Sequence, residues 1–388
     1  MKIVYIFHAF ASKAGVERIL SDKMNYLVSH YGYEVTFITY EQGNHPLAFY
    51  LDKRINFNDL DVRFYPLYSL NPLKRFIIKN KRSRLLKQKL SILLQKINPD
   101  YVVLTTYDFD KFNSILSLPY RFIIESHVCM SDIRNELKHN NCIMRFIAKQ
   151  IDAKSFNILE KAARMVTLTT GDKNEWKERL TIPINVIPNF VLQIPDYCSS
   201  YSMRPNRILS IGRLTNQKGF DYLIKAWSII ANKYPTWKID IFGHGELENY
   251  LHNMIIEHNL EQSIQIKKPT DRIFDEYNNS SIFLMGSRYE GFALVLIEAM
   301  SFGIPCISFD CPHGPSDLIT HREDGLLVPL GDIKKMADAI EWMITHEEER
   351  LRMSNNAREK AKQYTAEAIM PQWVELFEKV AKQCKHSI

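Results

Sequence analysis

The 388-residue sequence has little of what marks several large protein classes. It carries 6 cysteines, namely Cys129, Cys142, Cys198, Cys306, Cys311 and Cys384, with no CxxC pair and no zinc-finger spacing. That excludes a disulfide scaffold and fits a reducing cytoplasm. Cys306, Cys311 and His313 lie close in sequence but lack the spacing of a metal-ligand set. No run approaches the roughly 18 apolar residues of a membrane span, which argues against an integral membrane protein. The start, MKIVYIFHAF, is apolar only over 3–7 before His8 and Lys13. That is too short for a signal peptide and suits a first buried strand. There is no repeat of solenoid length and no low-complexity tract. What is present, 46% hydrophobic and 24% charged residues, is ordinary globular composition and excludes a disordered chain.

Charge is unevenly placed. Lys plus Arg is 50 and Asp plus Glu is 44, a net charge of +6. Residues 1–190 hold 28 basic and 18 acidic residues, whereas 191–388 hold 22 and 26. Much of the basic excess lies in Lys74, Arg75, Lys79, Lys81, Arg82, Arg84, Lys87 and Lys89, with no acid among them. Phe76, Ile77, Ile78, Leu85 and Leu86 interrupt the charges. A basic, partly amphipathic stretch suits an anionic membrane surface or a lipid-linked diphosphate. The same run also fits a solvated helix face or a loop. Its low aromatic content argues against nucleic acid.

Short apolar runs alternate with helical patterns. Strands are expected over 3–7, 34–39, 101–104, 121–124, 165–168 and 185–187, then over 207–211, 238–242, 263–266, 281–285 and 306–309. Helices are expected over 16–29, 82–96 and 144–163, then over 220–231, 246–258, 295–302 and 333–345. This alternation predicts an α/β chain with parallel sheets covered on both faces. It restarts after a Pro-rich break at Pro188 and Pro195, which predicts domains over 1–190 and 191–365. Two Rossmann-like doubly wound domains would face each other across a cleft and bind ligands at their strand ends.

Several loops carry groups that suit such a ligand. Gly212 and Arg213 follow a strand, and Lys218 precedes a helix, so a tight turn presents a planar fork and a point charge to phosphate. Both cations also fit a solvated loop. Glu290 and Gly291 precede a helix beginning near Ala293, whose free N–H groups form an anion site. Glu298 stands inside the otherwise apolar run ALVLIEAMSFGIP, where an acid needs a partner. Capping by Glu290 and solvent exposure of Glu298 are the plainer alternatives. Gly243-His244-Gly245 ends another strand and allows backbone approach. His127 follows RFIIES, and Gly15 lies in the first strand-to-helix turn. Taken singly, each reads equally as a packed loop residue.

Together, GRLTNQKGFDYLIKAW, IDIFGHGELE, SRYEGFALVLIEAMSFGIPCIS and GLLVPLGD resemble the second domain of family 4 glycosyltransferases. KAGVERIL resembles that family's first turn, and VIPNF the start of its linker. The resemblance implies a retaining, nucleotide-sugar-dependent hexosyltransferase of the GT-B fold, with 366–388 a C-terminal helix crossing back to the first domain. Carried over by position, Arg213 and Lys218 resemble the diphosphate clamp and Glu298 the ribose ligand. Glu290 and the backbone of Gly291, Phe292, Ala293 and Leu294 resemble contacts to donor sugar and phosphate. Gly15, Gly212 and Gly243 line donor-side turns, and His127 resembles the residue beside the reacting sugar. Two departures are Ala14, where the family usually reads a second Gly, and Ala293, where relatives often carry Gly or Pro.

SFDCPHGPSDLITHREDGLLVP resembles bacterial members that use UDP-sugars in capsule, O-antigen or protein-glycan assembly. Asp108-Phe109-Asp110 lies in the first half and reads as a solvated loop, so a metal-independent reaction without cofactor is expected. The expectation is transfer of a hexose or N-acetylhexosamine from a UDP-sugar to a lipid-linked or oligosaccharide acceptor, by a cytoplasmic protein peripheral at the inner membrane face. A sugar-nucleotide epimerase or hydrolase of the same fold is the first alternative. A non-catalytic partner subunit is the second.

Overall fold

A computed structural model describes residues 1–64, 71–106, 111–127, 130, 156–196 and 204–383. The expected helix over 144–163 lies outside them as far as residue 155, as do Asp108-Phe109-Asp110, Cys129, Cys142, Cys198 and Cys384. The chain divides into two compact units, Met1–Pro188 with Met370–Ile388, and Asn189–Ile369.

In the first unit the described residues form one sheet of seven strands: β1 (Lys2–Phe7), β2 (Glu34–Thr39), β3 (Asn56–Asp59), β4 (Tyr101–Thr105), β5 (Phe122–Ser126), β6 (Arg164–Thr167) and β7 (Ile184–Val186). Their order is β3-β2-β1-β4-β5-β6-β7, and every pairing is parallel. The order reverses between β1 and β4, which makes that gap the unit's topological switch point. β1, β2, β4 and β5 are near-continuously buried, as strands covered on both faces must be. The sequence pattern does not announce β3. Its residues Asn56, Phe57, Asn58 and Asp59 are mostly polar and sit at the sheet edge.

The helix Gly15–Tyr31 follows β1 and ends at Gly32, whose φ of 63° is the left-handed cap that glycine favours. Ala14, its N-cap, has φ −108°, so the missing second glycine causes no backbone strain. The basic stretch is helical. Asn71 caps Pro72–Ile97 by accepting from the Lys74 N–H at 2.9 Å, and Pro72 pre-sets the first turn. Leu86, Leu90 and Leu94 form its fully buried stripe, each worth about 1.5–3 kcal/mol of burial. In the helix Ala366–Gln383, Trp373 and Phe377 are buried, and Phe377 accepts from Tyr101 Oη at 2.8 Å.

The second unit has six strands: β8 (Arg207–Ile211), β9 (Lys238–Phe242), β10 (Ile264–Lys267), β11 (Ile282–Met285), β12 (Cys306–Asp310) and β13 (Gly325–Pro329). They run β10-β9-β8-β11-β12-β13, again all parallel, with the switch point between β8 and β11. The helix Phe220–Ile230 buries Phe220, Leu223, Ile224, Trp227 and Ile230. Their spacing of three and four is that of one helix face. Among the described residues no helix is long and apolar enough to cross a membrane.

Candidate functional site

In the second unit the predicted residues gather at the carboxyl ends of β8, β9 and β11. The loop after β8 passes Gly212 and Arg213, makes a tight turn over Asn216–Lys218, and enters its helix through Gly219. Gly219 has φ 61°, and a Cβ on it would overlap the Gly286 carbonyl oxygen after β11. A Cβ on Gly243 would overlap the Gly212 carbonyl oxygen, and one on Gly245 that of Leu214. Gly243 is therefore required by loop-on-loop packing. Gly219 and Gly286, which sequence reasoning passed over, are required for the same reason. Arg288 fastens the seam. Its guanidinium donates to both Asp221 carboxylate oxygens at 2.9 and 2.8 Å and to the Asn216 carbonyl at 2.6 Å.

Lys218 and Glu290 meet here. Glu290 Oε1 accepts from Lys218 Nζ at 2.6 Å and from Ser287 Oγ at 2.6 Å. The carboxylate is buried and the lysine half-buried. No side chain caps the helix Leu294–Ser301, so Glu290 is not its cap. Phe292 and Ala293 are buried just ahead of that helix. Gly314, after β12, has φ 94°, and a Cβ there would lie 3.3 Å from the Ala293 nitrogen, so this loop closes on the turn 290–293. Arg213 is exposed and forms no ion pair among the described residues. Cys311 is buried beside this cluster. Burial and the Glu290 carboxylate push its thiol up to about 12.

Glu298 is buried, not solvated. The partner that the apolar run demanded is Tyr277, from the helix Ile273–Asn278, whose hydroxyl donates to Glu298 Oε2 at 2.7 Å.

In the first unit His127 is buried one residue beyond β5. Its Nε2 lies 2.9 Å from Glu125 Oε2, which also accepts from Lys23 Nζ at 2.6 Å. Burial works to raise the Glu125 pKa, but Lys23 and His127 outweigh it and hold the acid below its ordinary value. Burial pushes the Lys23 ammonium down against the pull of Glu125. Neither Lys23 nor Glu125 was singled out from the sequence, although each is a charge inside an apolar pattern. Gly15 opens the first helix with nothing within 4 Å of the position a Cβ would take.

Of the basic stretch, Lys74, Arg75, Lys81, Arg84 and Lys87 are exposed, and Lys79 and Arg82 are half-buried. Lys89 donates to the Leu60 carbonyl at 2.6 Å, so it ties the helix to its own unit.

Comparison with known proteins identifies what such a chain is. Residues 200–360 match the family described as glycosyl transferases group 1. An uncharacterized glycosyltransferase of Haemophilus influenzae is 30% identical over 378 residues, spanning 96% of this chain and 98% of its own. The chain is a group 1 glycosyltransferase. The amylovoran biosynthesis glycosyltransferase AmsD of Erwinia amylovora is 31% identical over 55% of this chain and 61% of its own. The solved structure of Anabaena Alr3699/HepE in complex with UDP has a TM-score of 0.73 at 16% identity, covering 98% of this chain and 100% of that one. The two parallel-sheet units of this glycosyltransferase are those of the GT-B fold.

Tyr277 gives the glycosyltransferase a testable weak point. Tyr277→Phe removes the hydroxyl from a buried carboxyl group and should lower stability by about 1–3 kcal/mol, read from the urea midpoint. An unchanged midpoint would mean that Glu298 is satisfied without it.

Proposed function

We propose that this glycosyltransferase moves a hexose or N-acetylhexosamine from a UDP-sugar, with retention of configuration, to a lipid-linked glycan acceptor in cell-surface polysaccharide or glycan assembly. The observation that carries the reading is the Lys218–Glu290–Ser287 cluster at the β8/β11 switch point, beside an exposed Arg213 and the start of the helix Leu294–Ser301. Arg213, Lys218 and the helix N–H groups stabilise the charge that develops on a departing diphosphate, so the reaction runs without a metal. Glu298, oriented by Tyr277, takes the ribose hydroxyls. Glu290 and the backbone of Gly291 to Leu294 hold the donor sugar and phosphate. A diphosphate oxygen assists loss of the acceptor proton as the acceptor attacks on the face the nucleotide leaves. No side-chain nucleophile takes part. By the family resemblance, His127 of the first unit corresponds to the residue beside the reacting sugar. The amylovoran relative and the UDP-bound neighbour support the choice of glycan and nucleotide.

The test is a turnover screen of the purified chain with UDP-glucose, UDP-galactose and their N-acetyl forms, using membrane lipid extract as acceptor source. Transfer into the lipid fraction with the donor's anomeric configuration kept is the expected result. Epimerised or hydrolysed donor with no need for acceptor would replace transfer by epimerase or hydrolase chemistry. No turnover and no UDP binding would contradict the reading.

The acceptor side is assigned to the helix Pro72–Ile97 at the inner face of the membrane. Phe76, Ile77 and Ile92 are 65%, 59% and 63% exposed among its cations, apolar anchors set in positive charge. Reversing Lys74, Arg75, Lys81 and Arg84 to Glu removes about 1 kcal/mol of attraction per cation. Sedimentation with phosphatidylglycerol vesicles should weaken roughly a hundredfold or more while UDP affinity stays the same. Equal sedimentation of the reversed and original proteins would refute this placement.

A further inference from the structure

The helix Gly15–Tyr31 buries Ile19, Leu20, Met24 and Leu27 in one stripe, and Lys23 sits within it. An apolar residue there would bury at no electrostatic cost, whereas an ammonium must recover several kcal/mol of lost hydration. Lys23 does so from two sides. Its Nζ lies 2.6 Å from Glu125 Oε2 and 3.8 Å from the centre of the Trp373 ring. The same carboxylate oxygen faces His127 Nε2 at 2.9 Å. All three side chains are no more than 2% exposed. His127 Nδ1 and Glu125 Oε1 are buried with no hydrogen-bond partner among the described residues, as is the neighbouring Tyr5 hydroxyl, which feels the Glu125 charge. These are the atoms of the network left free to take a further partner.

A carboxylate that binds one ring nitrogen of a histidine selects the nitrogen that carries the proton and fixes the ring plane. We propose that Glu125 and Lys23 are positioning residues acting through His127. The Glu125 carboxylate, anchored by the Lys23 ammonium beneath Trp373, keeps the proton on Nε2 and leaves Nδ1 as the ring's unpaired acceptor. The role of that unpaired nitrogen rests on the assignment of His127 to the reacting sugar made above. Lys23 reaches the chemistry only through the carboxylate, and Glu125 only through the ring.

The test is a double-mutant cycle on the full chain. Lys23→Met with Glu125→Gln removes both charges together, so no buried charge is left uncompensated. Glu125→Asp keeps the charge but withdraws the oxygen from the ring, and serves if the first variant does not fold. Each is made with His127 intact and with His127→Ala. Turnover is measured with whichever of the four UDP-sugars is transferred. With His127 present, either change should lower kcat about 10–100-fold and leave the donor KM nearly unchanged. With Ala at 127 the same change should cost less than about twofold. Nitrogen-15 correlation spectra of the ligand-free protein should show the His127 proton on Nε2, redistributed between the ring nitrogens in the Lys23→Met, Glu125→Gln protein. An equal loss of kcat in both backgrounds, or a proton found on Nδ1, would overturn the proposal. If His127→Ala leaves transfer intact, or no donor is turned over, the assignment of His127 to the sugar has failed. The spectra then decide by themselves whether the pair sets the tautomer.

Discussion

Replacing Glu290 by Gln is expected to slow sugar transfer about a hundred- to a thousandfold without unfolding the protein. Glu290 is 5% exposed, and its Oε1 takes both the Lys218 ammonium and the Ser287 hydroxyl, each at 2.6 Å. Gln keeps the shape and one acceptor oxygen but removes the charge that sets where Lys218 points. Lys218 is half-buried, so its ammonium can rehydrate and the fold survives. What the proposed reaction would lose is a fixed cation facing the departing diphosphate, and preorganised groups of this kind dominate such sites. The check is kcat for transfer beside a thermal melt of the variant. A near-normal kcat with an unchanged melt would reduce Glu290 to a structural counter-ion.

Gly243→Ala should have the largest effect on stability. The new Cβ would overlap the Gly212 carbonyl oxygen. Neither backbone can step aside, because Gly212 N–H donates to the Phe242 carbonyl at 3.0 Å and Leu214 N–H to the His244 carbonyl at 2.9 Å. Those bonds continue the β8–β9 ladder into the loops. Relief requires breaking them, which places the cost at about 4 kcal/mol, among the severe single substitutions. For a unit of this size that is a fall of roughly 10 °C in Tm. Calorimetry should show it, with UDP affinity falling as well because the loop that carries Arg213 is displaced. A shift of a degree or two would mean that the loops yield far more easily than their bonding indicates.

The parts of the fold legible in the sequence are those fixed by local pattern. The buried strands read as apolar runs, and the helices between them as three-and-four spacing, because a short continuous window of sequence suffices to show the period. Glu290 and Lys218 were legible because each stands in a strand-to-helix turn, and Glu298 because it stands inside a run that rejects charge. Pairings across the chain were not. Lys23 and Glu125 are 102 residues apart, and each alone looks like a flaw in the buried face of its own element. Only the packing of the first helix against β5 turns two flaws into one network. That Glu298 needs a partner follows from burial cost, but that Tyr277 is the partner depends on where Ile273–Asn278 packs. Gly219 and Gly286 look like ordinary turn glycines until their backbones are seen in contact. Lys89 shows the reverse limit. Composition places it with its exposed neighbours, whereas the helix phase turns it towards the Leu60 carbonyl.

The proposed function requires that the second unit hold a nucleoside diphosphate between Arg213, Lys218, Glu290 and Glu298. Thermal denaturation of the intact chain with UDP tests it most directly. At a hundredfold excess over its Kd, UDP should stabilise the protein by about 2.7 kcal/mol. That shift should disappear in the Lys218→Met and Glu298→Gln variants and persist in the charge-reversed Pro72–Ile97 helix. A melting curve indifferent to UDP, or a shift that survives both substitutions, would contradict the account.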